Sequence, residues 1–232
     1  MTSISALSIQ QKISGLNLKF VTLQLLTSLL NRTNNNTIYK TLQRLEKYQI
    51  LTRLTKGKYL VSDADVPEFA IAGFIVKPSY VSLESALVYY GIIPQFTYSV
   101  TSVTANRAQT IVYLNREFTY SQISPQYFWG YEKQKDVLIA LPEKACLDYL
   151  YLAAKGLRSS AIDEWDLKPL NQNRFKNYAA KIKFAPLQKL LINKKQKHLT
   201  KSLNKINKNQ SENISYNQKN KENSLNIAAS PD

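Results

Sequence analysis

The segment Thr37–Lys47 constrains this chain more than any other stretch. At about 100° per residue, Ile38, Leu42 and Leu45 fall on one side of a helix, and Asn36, Lys40, Gln43, Arg44 and Lys47 crowd a sector of roughly 100° opposite them. A helix divided in this way needs a small apolar core beneath it and leaves a basic, amide-bearing face in water. The neighbouring residues supply that core. Phe20, Leu23, Leu26 and Leu30 recur at helical spacing, which predicts a helix over Phe20–Leu30, and a polar turn from Asn31 to Asn36 separates it from the next. Ala6–Ile13 predicts a further short helix. Beyond the basic helix, Ile50–Leu54 and Lys58–Val61 read as two short strands joined at Lys56-Gly57, where glycine supplies the backbone freedom a tight turn requires. Helix, turn, helix and basic hairpin is the order of a winged helix-turn-helix, expected over residues 1–62.

The charge distribution follows the same division. The chain of 232 residues carries a formal +15, yet residues 1–62 hold nine bases and one acid, residues 63–160 eight bases and nine acids, and residues 161–232 fourteen bases and six acids. A nearly neutral middle lies between two basic ends. Basic blocks attract polyanions, of which nucleic acid is the commonest in a cytoplasm, with membrane surfaces and ribosomes as competitors. The single cysteine, Cys146, excludes an internal disulfide. The opening MTSISALSIQQ lacks the early charge and apolar run of a signal peptide, and no stretch reaches the ~18–20 apolar residues of a membrane span. A cytoplasmic protein is expected.

Ser62–Phe69, polar, acidic and containing Pro67, marks a domain boundary. A second domain, mixed α/β, is expected over residues 70–192. It opens with an apolar stretch and continues into a helix Leu83–Tyr90, with Ser82 as its cap and Gly91 as its stop. Strands follow at Tyr98–Thr104, Gln109–Leu114 and Glu117–Ser121. A helix Pro142–Ala154 has proline at its first position and Gly156 just beyond its end. Two more helices are expected within Asn171–Ile182 and Pro186–Lys194. Residues 193–232 hold nine Asn with many Lys, Gln and Ser and no apolar period, which predicts a disordered basic tail. Its lysines either add nonspecific attraction for DNA or simply reflect an AT-rich genome. The fold class is thus α+β: a winged helix, a mixed α/β domain and a tail.

Within the basic helix, Asn36, Lys40 and Gln43 lie near the start and are the candidates for reading base edges, since amides suit adenine and basic side chains suit guanine or phosphate. Tyr39, at the edge of the face, could touch backbone or pack. Arg44, Lys47, Arg53, Lys56 and Lys58 are the candidate phosphate contacts. An enzyme reading begins from Asp136, Glu143, Lys144 and Asp148, because carboxylates with a lysine can hold a divalent metal and cut phosphodiesters. The spacing argues against it. Glu143 and Lys144 are adjacent and point about 100° apart on a helix, and Lys144 with Asp148 reads as an i,i+4 surface pair. The only histidine, His198, lies in the tail, and Cys146 reads as a small core residue. No catalytic centre, metal or cofactor is expected.

Four blocks of the second domain carry a resemblance: PSYVSLESALVYYGIIP (Pro78–Pro94), YSVTSVTANR (Tyr98–Arg107), FWGY (Phe128–Tyr131) and ALPEKACLDYLY (Ala140–Tyr151). In this order, behind a winged helix, they resemble the AbiEi antitoxin family over most of Phe20–Leu157. Leu141 departs from it, standing where a small polar cap is common. The resemblance implies an antitoxin of a type IV toxin–antitoxin system, linked to abortive phage defence. Such a protein represses its own operon at promoter inverted repeats in double-stranded DNA. It opposes a nucleotidyltransferase-like toxin without forming a stable complex. Glu84, Arg107, Tyr131, Glu143 and Lys144, polar anchors inside apolar motifs, are the exposed candidates for the antitoxin task. The charge break at residue 62 leads to the expectation that DNA binding and neutralisation are separable. The alternatives are a ligand-sensing winged-helix transcription factor and a nuclease-like enzyme targeted to DNA.

Overall fold

Three helices and a three-stranded sheet form around the apolar positions of the first sixty residues. The computed structural model describes residues 6–31, 34–94, 98–159 and 164–193. Helices α1 (Ala6–Gly15), α2 (Leu23–Leu30) and α3 (Asn35–Lys47) bury Ile9, Ile13, Leu26, Leu30, Ile38, Leu42 and Leu45 in one core, closed by Val21, Leu51 and Tyr59. The strands β1 (Phe20–Thr22), β2 (Leu51–Thr55) and β3 (Lys58–Val61) pair antiparallel in the order β1-β3-β2, and Gly57, at φ +73°, turns the β2–β3 hairpin. This is the architecture of a winged helix.

Phe20–Thr22 is strand where the apolar period predicted helix. Thr22 explains the late start of α2: its backbone is extended and its hydroxyl accepts the Leu25 N–H at 3.1 Å, an N-cap that period alone does not reveal. Asn34 does the same for α3, accepting the Asn36 N–H at 2.9 Å, so that helix starts at Asn35, two residues before the expected Thr37.

The second sheet is mixed. Strands β4 (Ser79–Val81), β5 (Ser99–Thr104), β6 (Gln109–Tyr113), β7 (Arg116–Gln122), β8 (Tyr131–Gln134) and β9 (Val137–Ala140) lie in the order β6-β7-β5-β4-β9-β8. The pairs β5–β7 and β4–β9 are parallel and the others antiparallel. Helix α4 (Glu68–Ile75) packs on one face, where the Tyr120 hydroxyl donates to the Ala72 carbonyl at 2.7 Å. Helices α5 (Leu83–Tyr89) and α6 (Pro142–Ala154) pack together on the other face, and α7 (Gln172–Lys181) lies against α6. The apolar stretch after Pro67 is therefore α4, a helix without a polar stripe because the winged helix and the sheet cover it from two sides.

Ser62–Pro67 separates the two hydrophobic cores, but residues Met1–Ile182 form one compact unit, and the chain divides at Lys183. The join is made at α4, where the Phe20 and Phe74 rings stack with centroids 4.3 Å apart. The second unit contains a helix over 185–193. The tail expected over 193–232 lies outside the described residues from 194 onward. Among the described residues, no helix is long and apolar enough to cross a membrane.

Candidate nucleic-acid interface

Helix α3 carries its three buried residues, Ile38, Leu42 and Leu45, on the side facing the small core. Its opposite side is water-exposed along its whole length: Asn36, Tyr39, Lys40, Gln43, Arg44 and Lys47 are all exposed, as are Arg53 on β2 and Lys56 in the wing turn. None of these cations takes part in an ion pair among the described residues. The structure thus places eight of the nine predicted DNA-facing residues on the open surface of α3 and the wing.

Lys58 is the ninth, and it is occupied. Its ammonium donates to the carbonyls of Phe74 at 3.0 Å and Ile75 at 2.8 Å, and it lies 5.6 Å from the centroid of the Phe74 ring. Burial, and then neighbouring Lys77, push its pKa below the ordinary lysine value. A lysine holding two main-chain oxygens is not a free phosphate contact.

The residues expected to be exposed in the second domain fare differently. Glu143 and Lys144 are 1% and 0% exposed, against the expectation of surface residues. Lys144 pairs with Asp148 one turn on, fully buried where a surface pair was expected, and donates to the Tyr80 hydroxyl at 2.8 Å. The Tyr80 and Ser82 hydroxyls each donate to Asp148 Oδ2 at 2.9 Å. Burial pushes the Asp148 carboxyl up from the ordinary carboxylate value, while Lys144 and both hydroxyls pull against it. The rings of Trp129 and Tyr80 lie 5.2 and 5.5 Å from the ammonium, and Gly130 passes so close that a Cβ there would sit 2.9 Å from Lys144 Cγ. Ser82, spent on Asp148, makes no side-chain cap for α5, and Leu83 opens that helix at φ +56°. An apolar residue in the left-handed region is a costly conformation, held here by the packing around it.

Glu143 turns to another partner. Its Oε1 accepts the Asn171 N–H at 2.7 Å, and its Oε2 lies 3.6 Å from Arg174 Nη1. The adjacent pair Glu143 and Lys144 therefore serves two separate networks, and Asp136 sits in the exposed turn between β8 and β9, so these groups do not converge on one point. Glu84 is bridged to Arg158 at 2.8 Å. Tyr131 is half-buried and stacks on Tyr80 with centroids 4.6 Å apart. Of the five, Arg107 alone is exposed. Burial pushes the Cys146 thiol well up, in keeping with a core residue. No cluster of three or more His, Cys, Asp or Glu suited to a metal occurs among the described residues.

Sequence reasoning missed Tyr80, Ser82 and Trp129 as partners of Lys144. A signal was present in α6: Ala145, Cys146, Leu147, Leu150 and Leu152 surround Lys144 and Asp148 on nearly every side, the mark of a buried helix. Compared with known proteins, the chain matches no family model and no curated protein.

Proposed function

We propose that the protein is a DNA-binding antitoxin of the AbiEi type that represses its own operon through the winged helix. The observation that carries the DNA-binding part is the open face of α3, on which Asn36, Lys40, Gln43, Arg44 and Lys47 stand together in water without a carboxylate partner. Placed in a major groove, the amides Asn36 and Gln43 and the Lys40 ammonium meet base edges near the helix start, and Arg44, Lys47, Arg53 and Lys56 meet phosphates. Lys58 leaves that set.

The antitoxin part rests on the four motif blocks of the sheet domain, which resemble the family in their order. In this reading the near-neutral second domain opposes a nucleotidyltransferase-like toxin without a stable complex. Arg107, exposed in the loop between β5 and β6, is its best-placed side chain for that task, with Tyr131 partly accessible. Glu84, Glu143 and Lys144 support the domain from within.

Two assays test the two parts. A duplex from the region upstream of the coding sequence is titrated with the full chain, and the reading expects a shift that Lys40→Ala with Arg44→Ala weakens strongly. The reading requires a nucleotidyltransferase-like reading frame beside the coding sequence, and that frame is expressed with and without this chain. Growth arrest relieved by the chain, and relieved equally by the Lys40→Ala, Arg44→Ala variant driven from a foreign promoter, is expected. No relief with the folded wild-type chain overturns the antitoxin part and leaves a plain transcription factor.

A further inference from the structure

The wing is tied to helix α4, and Lys58 makes the tie. It is the first residue of β3, next to the wing turn Lys56-Gly57. Its two acceptors, the Phe74 and Ile75 carbonyls, belong to the last turn of α4, where helical carbonyls have no partner of their own and carry the negative end of the helix dipole. An ammonium is well matched to that end. The contact is reinforced on the same ring: Phe20 of β1, the strand paired with β3, stacks on Phe74 at an interplanar angle of 16°, and the Lys77 ammonium lies 5.7 Å from the ring centroid. On the other side of the wing, the Gly57 carbonyl accepts the Leu23 N–H at 2.9 Å, which fixes the turn to the start of α2. Helix α4 is in turn held to the sheet through Ala72 and Tyr120. A continuous path of packed groups runs from the wing turn to the six-stranded sheet.

We infer that Lys58 is a positioning residue for DNA recognition: by capping α4 it sets the wing at a fixed angle to α3, so the second domain controls how well the winged helix grips DNA. The inference rests on the DNA-binding reading above. It makes Lys58 unlike Lys56, two residues away, whose ammonium is free to meet a phosphate. It also gives the second domain a mechanical hold on repression, through Phe74, without any surface contact to DNA.

The test uses the full chain and four forms: wild type, Lys58→Met, Phe74→Leu and Lys56→Ala. Each is titrated against the upstream duplex and a shuffled duplex from 50 to 300 mM salt, and hydrogen exchange is followed for residues 51–61 and 68–75. Lys58→Met is expected to weaken upstream-duplex binding by about tenfold, the scale of a lost charged hydrogen bond, with the log–log salt slope unchanged. Phe74→Leu acts in the same direction, and in both variants the wing and the end of α4 exchange faster. Lys56→Ala lowers the slope by about 0.9, one phosphate contact, without changing exchange. A slope lowered by about 0.9 in Lys58→Met overturns the inference whatever the exchange shows, because Lys58 then meets phosphate. Wild-type affinity in both Lys58→Met and Phe74→Leu also overturns it. If wild type binds neither duplex, the DNA-binding reading fails, and unchanged exchange in Lys58→Met then separately removes the clamp.

Discussion

In the winged helix, Lys40, Arg44, Lys47, Arg53 and Lys56 stand in water with no ion pair among the described residues, whereas in the sheet domain Arg116, Lys144, Arg158 and Arg174 each hold a carboxylate: Glu68, Asp148, Glu84 and Glu143. Both regions are built from the same basic side chains. The difference is what surrounds them. Residues 1–62 offer a single acid against nine bases, so most of their positive charge stays uncompensated and projects a field into solvent. Residues 63–160 set nine acids against eight bases, and the sheet domain uses its charges to join elements: α6 to β4, α5 to the segment after α6, α7 to α6, and α4 to β7. Unpaired cations on a rigid surface are available to a polyanion; paired ones are already committed. Lys58 belongs by position to the first region and by use to the second.

The largest effect that sharpens this contrast is expected at Lys144. Removing it in Lys144→Ala strands the Asp148 carboxylate in a fully buried site, at a cost of about 3–5 kcal/mol, read as a large drop in Tm. Replacing the pair together, as Lys144→Met with Asp148→Leu, recovers most of that loss. Equal Tm values for Lys144→Ala and wild type would break the distinction between the two classes of lysine. Gly130→Ala follows in size. It combines φ +78° with a Cβ placed 2.9 Å from Lys144 Cγ, for a loss of about 1–3 kcal/mol in denaturant unfolding.

A smaller effect is expected in alkali. Burial raises the Tyr80 and Tyr120 hydroxyls above the ordinary value of 10.0 and holds Tyr90 at about 12. Above pH 10 the unfolded chain releases these protons while the folded chain keeps them, so stability declines as pH rises from about 10 towards 12. Absorbance at 295 nm is expected to show exposed tyrosines ionising first and these three only as the fold is lost. A single ionisation step near pH 10 with the fold intact would contradict their burial.

Much of the first region was legible in the sequence because its signals are local. The 3.6-residue period of Ile38, Leu42 and Leu45 fixes which side of α3 is dry, and Gly57 fixes the hairpin, whatever lies elsewhere in the chain. The second region was legible as elements and less so as contacts. Pro142 and Gly156 bracket α6 correctly, but β4, β8 and β9 are strands of three or four residues whose pairing comes from distant segments, so no short-range pattern announces them. Lys144 and Asp148 show the same limit at the site. Their i,i+4 spacing is visible, but the hydroxyls of Tyr80 and Ser82 that make burial tolerable lie more than sixty residues away. The clamp at Lys58 likewise depends on carbonyls 16 and 17 residues on, main-chain groups that no side-chain pattern records.

The central claim, that free cations on α3 rather than total charge confer DNA binding, is tested most directly by removing equal charge from each region. Arg44→Ala with Lys47→Ala and, separately, Arg116→Ala with Arg158→Ala each lower the net charge by two. Their salt dependence of binding to the upstream duplex is then compared with that of the wild-type chain. The account predicts that the α3 pair lowers the log–log slope by about 1.8 and the sheet-domain pair leaves it unchanged. Equal slopes for the two variants would contradict it.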